Sequence, residues 1–365
     1  MKVYRNLFEK IISAENLLEA WDDFKRGKRR KADVQLFERR LGDNIFQLHR
    51  DLIHKRYRHG EYVDFYVHDP KLRHIHKAAV RDRVVHHAVF RLLHPIFEST
   101  FIADSYSCRK EKGTHKGVEQ LGIYARKVFQ TRGKCFALKC DIRQFFPTID
   151  HQILLEIIGR KIKDRDVLDL VRIIVESFAS DADQKTGIKG APIGNLTSQM
   201  FANIYMNELD QFAKHELKAK FYLRYTDDFV ILHHDDKYLE VLKDKIADFL
   251  KTRLDLSLHP NKVEIRKLGQ GIDYLGYVSL PYARVPRAKV RRRIFRKLHY
   301  RVRQFKAGLI SEESLMRSFD SYMGFLVHAN SHKLREKLHQ RFWQWVKEPR
   351  PQNKKGQPRP AAHID

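Results

Sequence analysis

Two short apolar runs, Phe221 to Tyr225 and Phe229 to His233, are separated only by Thr226, Asp227 and Asp228. Runs this short and this rich in strand formers predict two strands, and so brief a gap permits no connection but a hairpin. The chain must therefore contain an antiparallel pair with carboxylates at its tip. A third run, Phe136 to Asp141, also ends on a carboxylate. Between it and the hairpin lie helical patterns over Ile153 to Ile162, Val167 to Phe178 and Ser198 to Leu217. Helices on one face of an antiparallel sheet define an α+β core.

If the strands bearing Asp141, Asp227 and Asp228 lie side by side, three carboxylates meet, and such a cluster is too repulsive to persist without cations. Hard cations of the Mg²⁺ type take oxygen ligands. Two of them together can activate an attacking hydroxyl and hold a leaving pyrophosphate. An Asp-Asp pair in a turn is by itself an ordinary solvated feature; the conjunction with Asp141 is what points to phosphoryl transfer.

Charge names the class of partner. The chain has 71 Lys and Arg against 45 Asp and Glu, a net charge of +26, which concentrates polyanions at the surface. Nucleic acid is the leading reading, with a membrane surface or a generically basic protein as alternatives. With 42% hydrophobic residues and 23 Phe, the charge does not signal disorder. The 365 residues suit a core of two or three subdomains and leave no room for an RNase H or endonuclease domain. Cys108, Cys135 and Cys140 form no C-x-x-C pair, which predicts buried thiols in a reducing compartment. The start of the chain has no signal-peptide run and no segment approaches a membrane span, so a soluble, cytoplasmic protein is expected.

Apolar spacing from Leu7 to Trp21 predicts a helix, followed by an exposed basic turn from Lys25 to Lys31 that is equally a phosphate contact or a solvated loop. Val290, Ile294, Leu298, Val302 and Phe305 form a second stripe, with ten cations from Arg287 to Lys306 on the other faces. Cations without interspersed acids repel one another, which favours a nucleic-acid face carried by Arg287, Arg291, Arg292 and Arg296. The Pro-rich stretch from residue 348 to 365 predicts a flexible tail. His74, His76, His86 and His87 lack Cys or acidic company and read as a surface facing nucleic acid, not as a zinc site.

Leu138-Lys139-Cys140-Asp141-Ile142-Arg143-Gln144-Phe145-Phe146 and Leu223-Arg224-Tyr225-Thr226-Asp227-Asp228-Phe229-Val230 resemble, in order, the two metal-binding motifs of reverse transcriptases. The resemblance implies a right-hand polymerase: an N-terminal helical extension over 1–60, fingers over 61–135, a palm over 136–280, and a basic helical thumb over 281–347. It implies two Mg²⁺ ions, with Mn²⁺ as a working substitute, at Asp141, Ile142, Asp227 and Asp228. Lys71 and Arg73 are similar to the residues that grip the incoming dNTP, and Arg109 to one approaching template or nucleotide. Phe146 stands where the family places a bulky side chain beneath the sugar, while Phe145 reads as core. Lys262, in Leu258-His259-Pro260-Asn261-Lys262, resembles the lysine near the leaving group. Tyr274, Leu275 and Gly276 look like the hairpin holding the primer end.

Ile193-Gly194-Asn195-Leu196-Thr197-Ser198-Gln199 stands where most reverse transcriptases carry Gln-Gly-x-x-x-Ser-Pro. This version resembles the reverse transcriptases of diversity-generating retroelements, which misincorporate opposite template adenine, and it places Ile193, Gly194 and Gln199 at the nucleotide. Ile193 lacks the hydrogen bond a Gln would make, so geometry at the nucleotide is less strictly enforced. The resemblance implies a structured template RNA, a cDNA or RNA primer, a small basic accessory protein, and a prokaryotic or phage origin. A defence-associated or retron-type reverse transcriptase, a group II intron maturase, and a silent RNA-binding scaffold are the alternatives. The intact aspartates speak against the last.

Overall fold

In the computed structural model the described residues are 2–68, 72–179 and 188–349; Lys71 and the tail from residue 350 lie outside them. The chain packs into two compact units. The first comprises Met1–Gly113, Leu138–Ile231 and Lys237–Glu264, and the second Thr114–Ala137, Leu232–Asp236 and Ile265–Asp365.

Strands β1 (Val63–Val67) and β2 (Arg73–Lys77) form an antiparallel ribbon with Val67 opposite Arg73. Strands β3 (Phe136–Asp141), β4 (Tyr222–Tyr225), β5 (Asp228–His233) and β6 (Glu264–Lys267) form a sheet in the order β4-β5-β3-β6. A smaller antiparallel meander joins β7 (Ile272–Tyr274), β8 (Tyr277–Ser279) and β9 (Arg284–Pro286). This is the α+β class that the periodicities predict.

Caps decide where the helices start. Asp150 accepts from the Ile153 amide at 3.0 Å and Asp164 from Val167 at 3.3 Å, so the helices run His151–Lys161 and Arg165–Glu176, each beginning ahead of its apolar pattern. The long helix Leu196–Gln211 continues as a π turn over Phe212–Glu216. The single helix expected from Leu7 to Trp21 is broken. Ser13 accepts from the Asn16 amide at 3.2 Å and starts a second helix, Ala14–Lys25, directly after Phe8–Ile12. A capping hydroxyl outweighs an unbroken apolar period.

His86 departs from the expected nucleic-acid-facing surface. On the helix Val80–Glu98 it shares a buried face with Val85 and Val89, 3.1 Å from His59. Burial pushes His86 well below the ordinary imidazole value, and pushes His87 down to about 4, with Lys28 adding repulsion. Both stay neutral in the fold but take up a proton near 6.5 when unfolded, so their contribution is complete above that pH and is lost as pH falls toward 4. Melting temperature should therefore drop between pH 7 and 4.5. The variant His87→Phe should recover about 1–2 kcal/mol of that loss, allowing for the partial exposure of the ring. A variant with an unchanged acid limb would show that His87 does not contribute.

Cys135 and Cys140 are buried, but Cys108, at φ 54°, is exposed. In the second unit the stripe of helix Ala288–Lys306 behaves as its spacing predicts. Ile294, Leu298 and Val302 join Leu315, Phe319, Leu326, Leu338 and Phe342 in one core. Among the described residues no helix is long and apolar enough to cross a membrane.

Candidate active site

In the hairpin Tyr225 pairs with Asp228, leaving Thr226 and Asp227 as the two turn residues. Asp228 is thus the first residue of β5, not part of the tip. Thr226 has φ 57° and Asp227 does not share that sign, the pattern of a turn whose first central position favours glycine. A β-branched residue there costs about 1–3 kcal/mol. Two hydrogen bonds hold it: the Thr226 hydroxyl donates to Ser107 Oγ at 2.6 Å, and Arg224 Nη1 donates to the Thr226 carbonyl at 2.9 Å.

Asp141 ends β3, the neighbour of β5, and is 9% exposed. Asp228 is pushed up to about 7 by burial, then by the charges of Asp227 and Asp141. The three carboxylates are therefore close enough to repel, and an all-oxygen donor set under such strain suits hard divalent cations. The side chain of Ile142 is buried, so only its main chain could serve a cation. Ile142 bridges Leu258, the Arg143 amide donates to the Ser257 carbonyl at 2.9 Å, and the His259 amide donates to that of Asp141 at 2.8 Å. This pairing brings Lys262 alongside, and its Nζ donates to Asp141 Oδ1 at 2.8 Å. The lysine expected near a leaving group is thus in contact with the carboxylate itself.

Phe146 is half-buried and edge-on to the buried Phe145, with ring centroids 5.4 Å apart. Its carbonyl accepts from the Ala191 amide at 2.8 Å, which ties it to the following loop. In that loop the Ile193 carbonyl accepts from the His76 amide at 3.2 Å, and Asn195 Nδ2 donates to the His76 carbonyl at 3.0 Å. Gly194, at φ 117°, lies so close to β2 that an added Cβ would stand 3.0 Å from Ile75 Cγ2. The loop is laid along the strand that begins with Arg73, which is exposed. Gln199 Oε1 accepts from the Cys108 thiol.

Arg109 is held within its own loop. Its guanidinium donates to Glu98 at 2.7 Å and to the carbonyls of Ile102 and Ser105 at 2.6 and 2.9 Å, over the Phe101 ring. These contacts staple its own loop through Nε and Nη1.

In the second unit, Leu275 and Gly276 form the two-residue turn between β7 and β8 at φ 49° and 89°, and Tyr274 is buried. Glycine is needed there for its dihedral, since an added Cβ would meet only ordinary contacts at 3.8 Å. Arg291, Arg292 and Arg296 are exposed, whereas Arg287 is anchored on Asp273 at 2.7 Å and forms the joint into its helix.

Residues that sequence reasoning passed over are Arg224, Asp210, Ser107 and Asn195. One signal was available: an arginine within an apolar strand requires a buried partner.

An α+β core with an acidic cluster at the ends of neighbouring strands is the architecture of a nucleotidyl-polymerase palm. The chain belongs to the reverse transcriptase (RNA-dependent DNA polymerase) family, whose profile matches residues 67–279, more than half of its length. The Escherichia coli K12 protein YkfC is 25% identical over 240 residues, covering 57% of this chain and 63% of YkfC. The group II intron-encoded protein LtrA of Lactococcus lactis is 28% identical over 172 residues, covering 46% of this chain and 28% of LtrA. The matched segment thus spans less than two thirds of either relative. Among solved structures, a Candida albicans telomerase in complex with a fragment of telomeric RNA aligns with TM-score 0.49 at 11% identity, over 80% of this chain and 56% of that one.

Proposed function

We propose that this protein is an RNA-directed DNA polymerase acting by two-metal phosphoryl transfer. The observation that carries the reading is the convergence of Asp141 at the end of β3 with Asp227 and Asp228 at the turn into the adjoining β5, where burial, and then the charges of Asp227 and Asp141, raise Asp228 to about 7. Two Mg²⁺ ions, or Mn²⁺, supply Lewis acidity and activate the primer hydroxyl when bound. Asp141 and Asp227 would hold the ions, Asp228 would assist, and the Ile142 main chain would lie beside them. Lys262 balances charge at Asp141 until cations arrive, and then serves the pyrophosphate. Arg73 and Lys71 grip the triphosphate, and Phe146 limits the sugar. The regions 61–135, 136–280 and 281–347 act as fingers, palm and thumb, with Tyr274, Leu275 and Gly276 at the primer end and Arg291, Arg292 and Arg296 on duplex phosphates.

The finer reading is a diversity-generating retroelement enzyme, supported by the motif Ile193-Gly194-x-x-x-Ser198-Gln199. Its partners are a structured template RNA with a cDNA or RNA primer, dNTPs and a small basic accessory protein, in a prokaryotic or phage-infected cytoplasm. A second reading, an enzyme of the group II intron type, is favoured by the similarity to LtrA. Sequencing cDNA made on a defined RNA separates them. Errors concentrated opposite adenine support the first reading, and uniformly low error supports the second. On the first reading Ile193→Gln should lower misincorporation about tenfold, as about 1.4 kcal/mol of restored discrimination requires.

A further inference from the structure

Beneath the carboxylate hairpin, Arg224 and Asp210 form an ion pair in which both side chains are 0% exposed. Arg224 Nε and Nη2 donate to Asp210 Oδ1 and Oδ2 at 2.8 and 2.7 Å, and the Tyr222 hydroxyl donates to Oδ1 at 2.7 Å. Desolvation offsets most of the attraction in such a pair, and apolar side chains of equal volume often stabilise a fold as well. Stability alone is therefore a poor reason for a guanidinium here.

The remaining donors supply another. Arg224 Nη1 reaches the Thr226 carbonyl at 2.9 Å and Asn203 Oδ1 at 3.3 Å, and Nη2 reaches Ser105 Oγ at 3.1 Å. Its main chain is paired with the segment before Ser107: its amide donates to the Asp104 carbonyl and its carbonyl accepts from the Tyr106 amide, both at 2.9 Å. Ser107 in turn accepts the Thr226 hydroxyl, and its carbonyl accepts from Asn203 Nδ2 at 2.9 Å. One guanidinium thus links the helix Leu196–Gln211, strand β4, the 104–107 segment and the strained residue just before Asp227.

We propose that Arg224, oriented by Asp210, is a positioning residue that fixes the Thr226 turn and with it the place of the Asp227 carboxylate relative to Asp141. Like charges on Asp141, Asp227 and Asp228 push the tip away, and a hairpin free to yield would meet cations in the wrong geometry. The brace holds the site assembled before they bind. The proposal rests on the two-metal reading, which the order of the wild-type rate in Mg²⁺ tests separately: first-order dependence throughout would count against that reading, while the comparison of variants still decides the brace.

The test replaces the network by apolar residues, Arg224→Met, Asp210→Leu and Tyr222→Phe together, in the full chain. Folding should survive, with Tm within about 5 °C of wild type. Single-nucleotide extension on a saturating template and primer should slow about 10- to 100-fold, and half-maximal activity should need several-fold more Mg²⁺, with template-primer Kd unchanged. Wild-type kcat and Mg²⁺ dependence in a folded triple variant would overturn the proposal. If the triple variant does not fold, Ser107→Ala decides, since it removes the hydroxyl link to Thr226 and, besides that, only a 3.4 Å hydrogen bond to the Cys108 sulfur. A three- to tenfold lower kcat with a raised Mg²⁺ requirement supports the brace, and wild-type behaviour overturns it.

Discussion

Asp227→Ala will lower nucleotide incorporation by about 10³-fold or more and leave RNA binding within about twofold of wild type, because on the proposed two-metal reading it removes a ligand worth several kcal/mol to the reacting phosphoryl group. Asp227 is a half-buried turn residue, so its loss opens no cavity. It also removes one of the two charges that raise Asp228. The metal-free variant should therefore melt no lower than wild type at pH 8, where the repulsion is greatest. Primer extension, filter binding and thermal melts together separate these outcomes. Residual synthesis within tenfold of wild type would remove the assignment of Asp227 as a metal ligand.

Phe146→Ala will relax sugar selection, raising ribonucleotide incorporation relative to deoxynucleotide by about 30- to 150-fold, the equivalent of about 2–3 kcal/mol of steric exclusion at the 2′-hydroxyl. The neighbouring ring provides the control. Phe145 is 3% exposed, so Phe145→Ala should cost about 3–5 kcal/mol of stability without changing the sugar ratio at a temperature where it stays folded. Competing rNTP and dNTP at one template position measures the ratio. An unchanged ratio for Phe146→Ala would show that another group excludes the hydroxyl.

Local chemistry carried much of the architecture into the sequence. The strand β3 runs from Phe136 to Asp141 as its apolar run indicates, and the hairpin follows from two runs too close together for any other connection. Helix interiors were legible from apolar spacing, while their starts shifted to Asp150, Asp164 and Ser13, because one capping oxygen decides a boundary that periodicity only brackets. The glycine of the Leu275-Gly276 turn was visible, but its reason, a positive φ rather than close approach, was not.

Long polar side chains were the least legible. Arg109 lies in a polar turn segment and Arg224 in an apolar strand, yet neither setting tells that one staples its own loop and the other bonds the hairpin turn. Lys262 meets Asp141 across 121 positions, and Thr226 meets Ser107 across 119. His86 read as a surface residue because its pattern gave no hint that His59 would cover it.

The sequence by itself determined the α+β class, the acidic hairpin and the three aspartates, since each depends on spacing within one element or on a motif of adjacent residues. Only the tertiary structure decided that Lys262 meets Asp141, which arginine holds the turn, and which loop lies along β2. Those outcomes depend on side chains whose partners are distant in the chain and become neighbours only when the sheet and its helices pack.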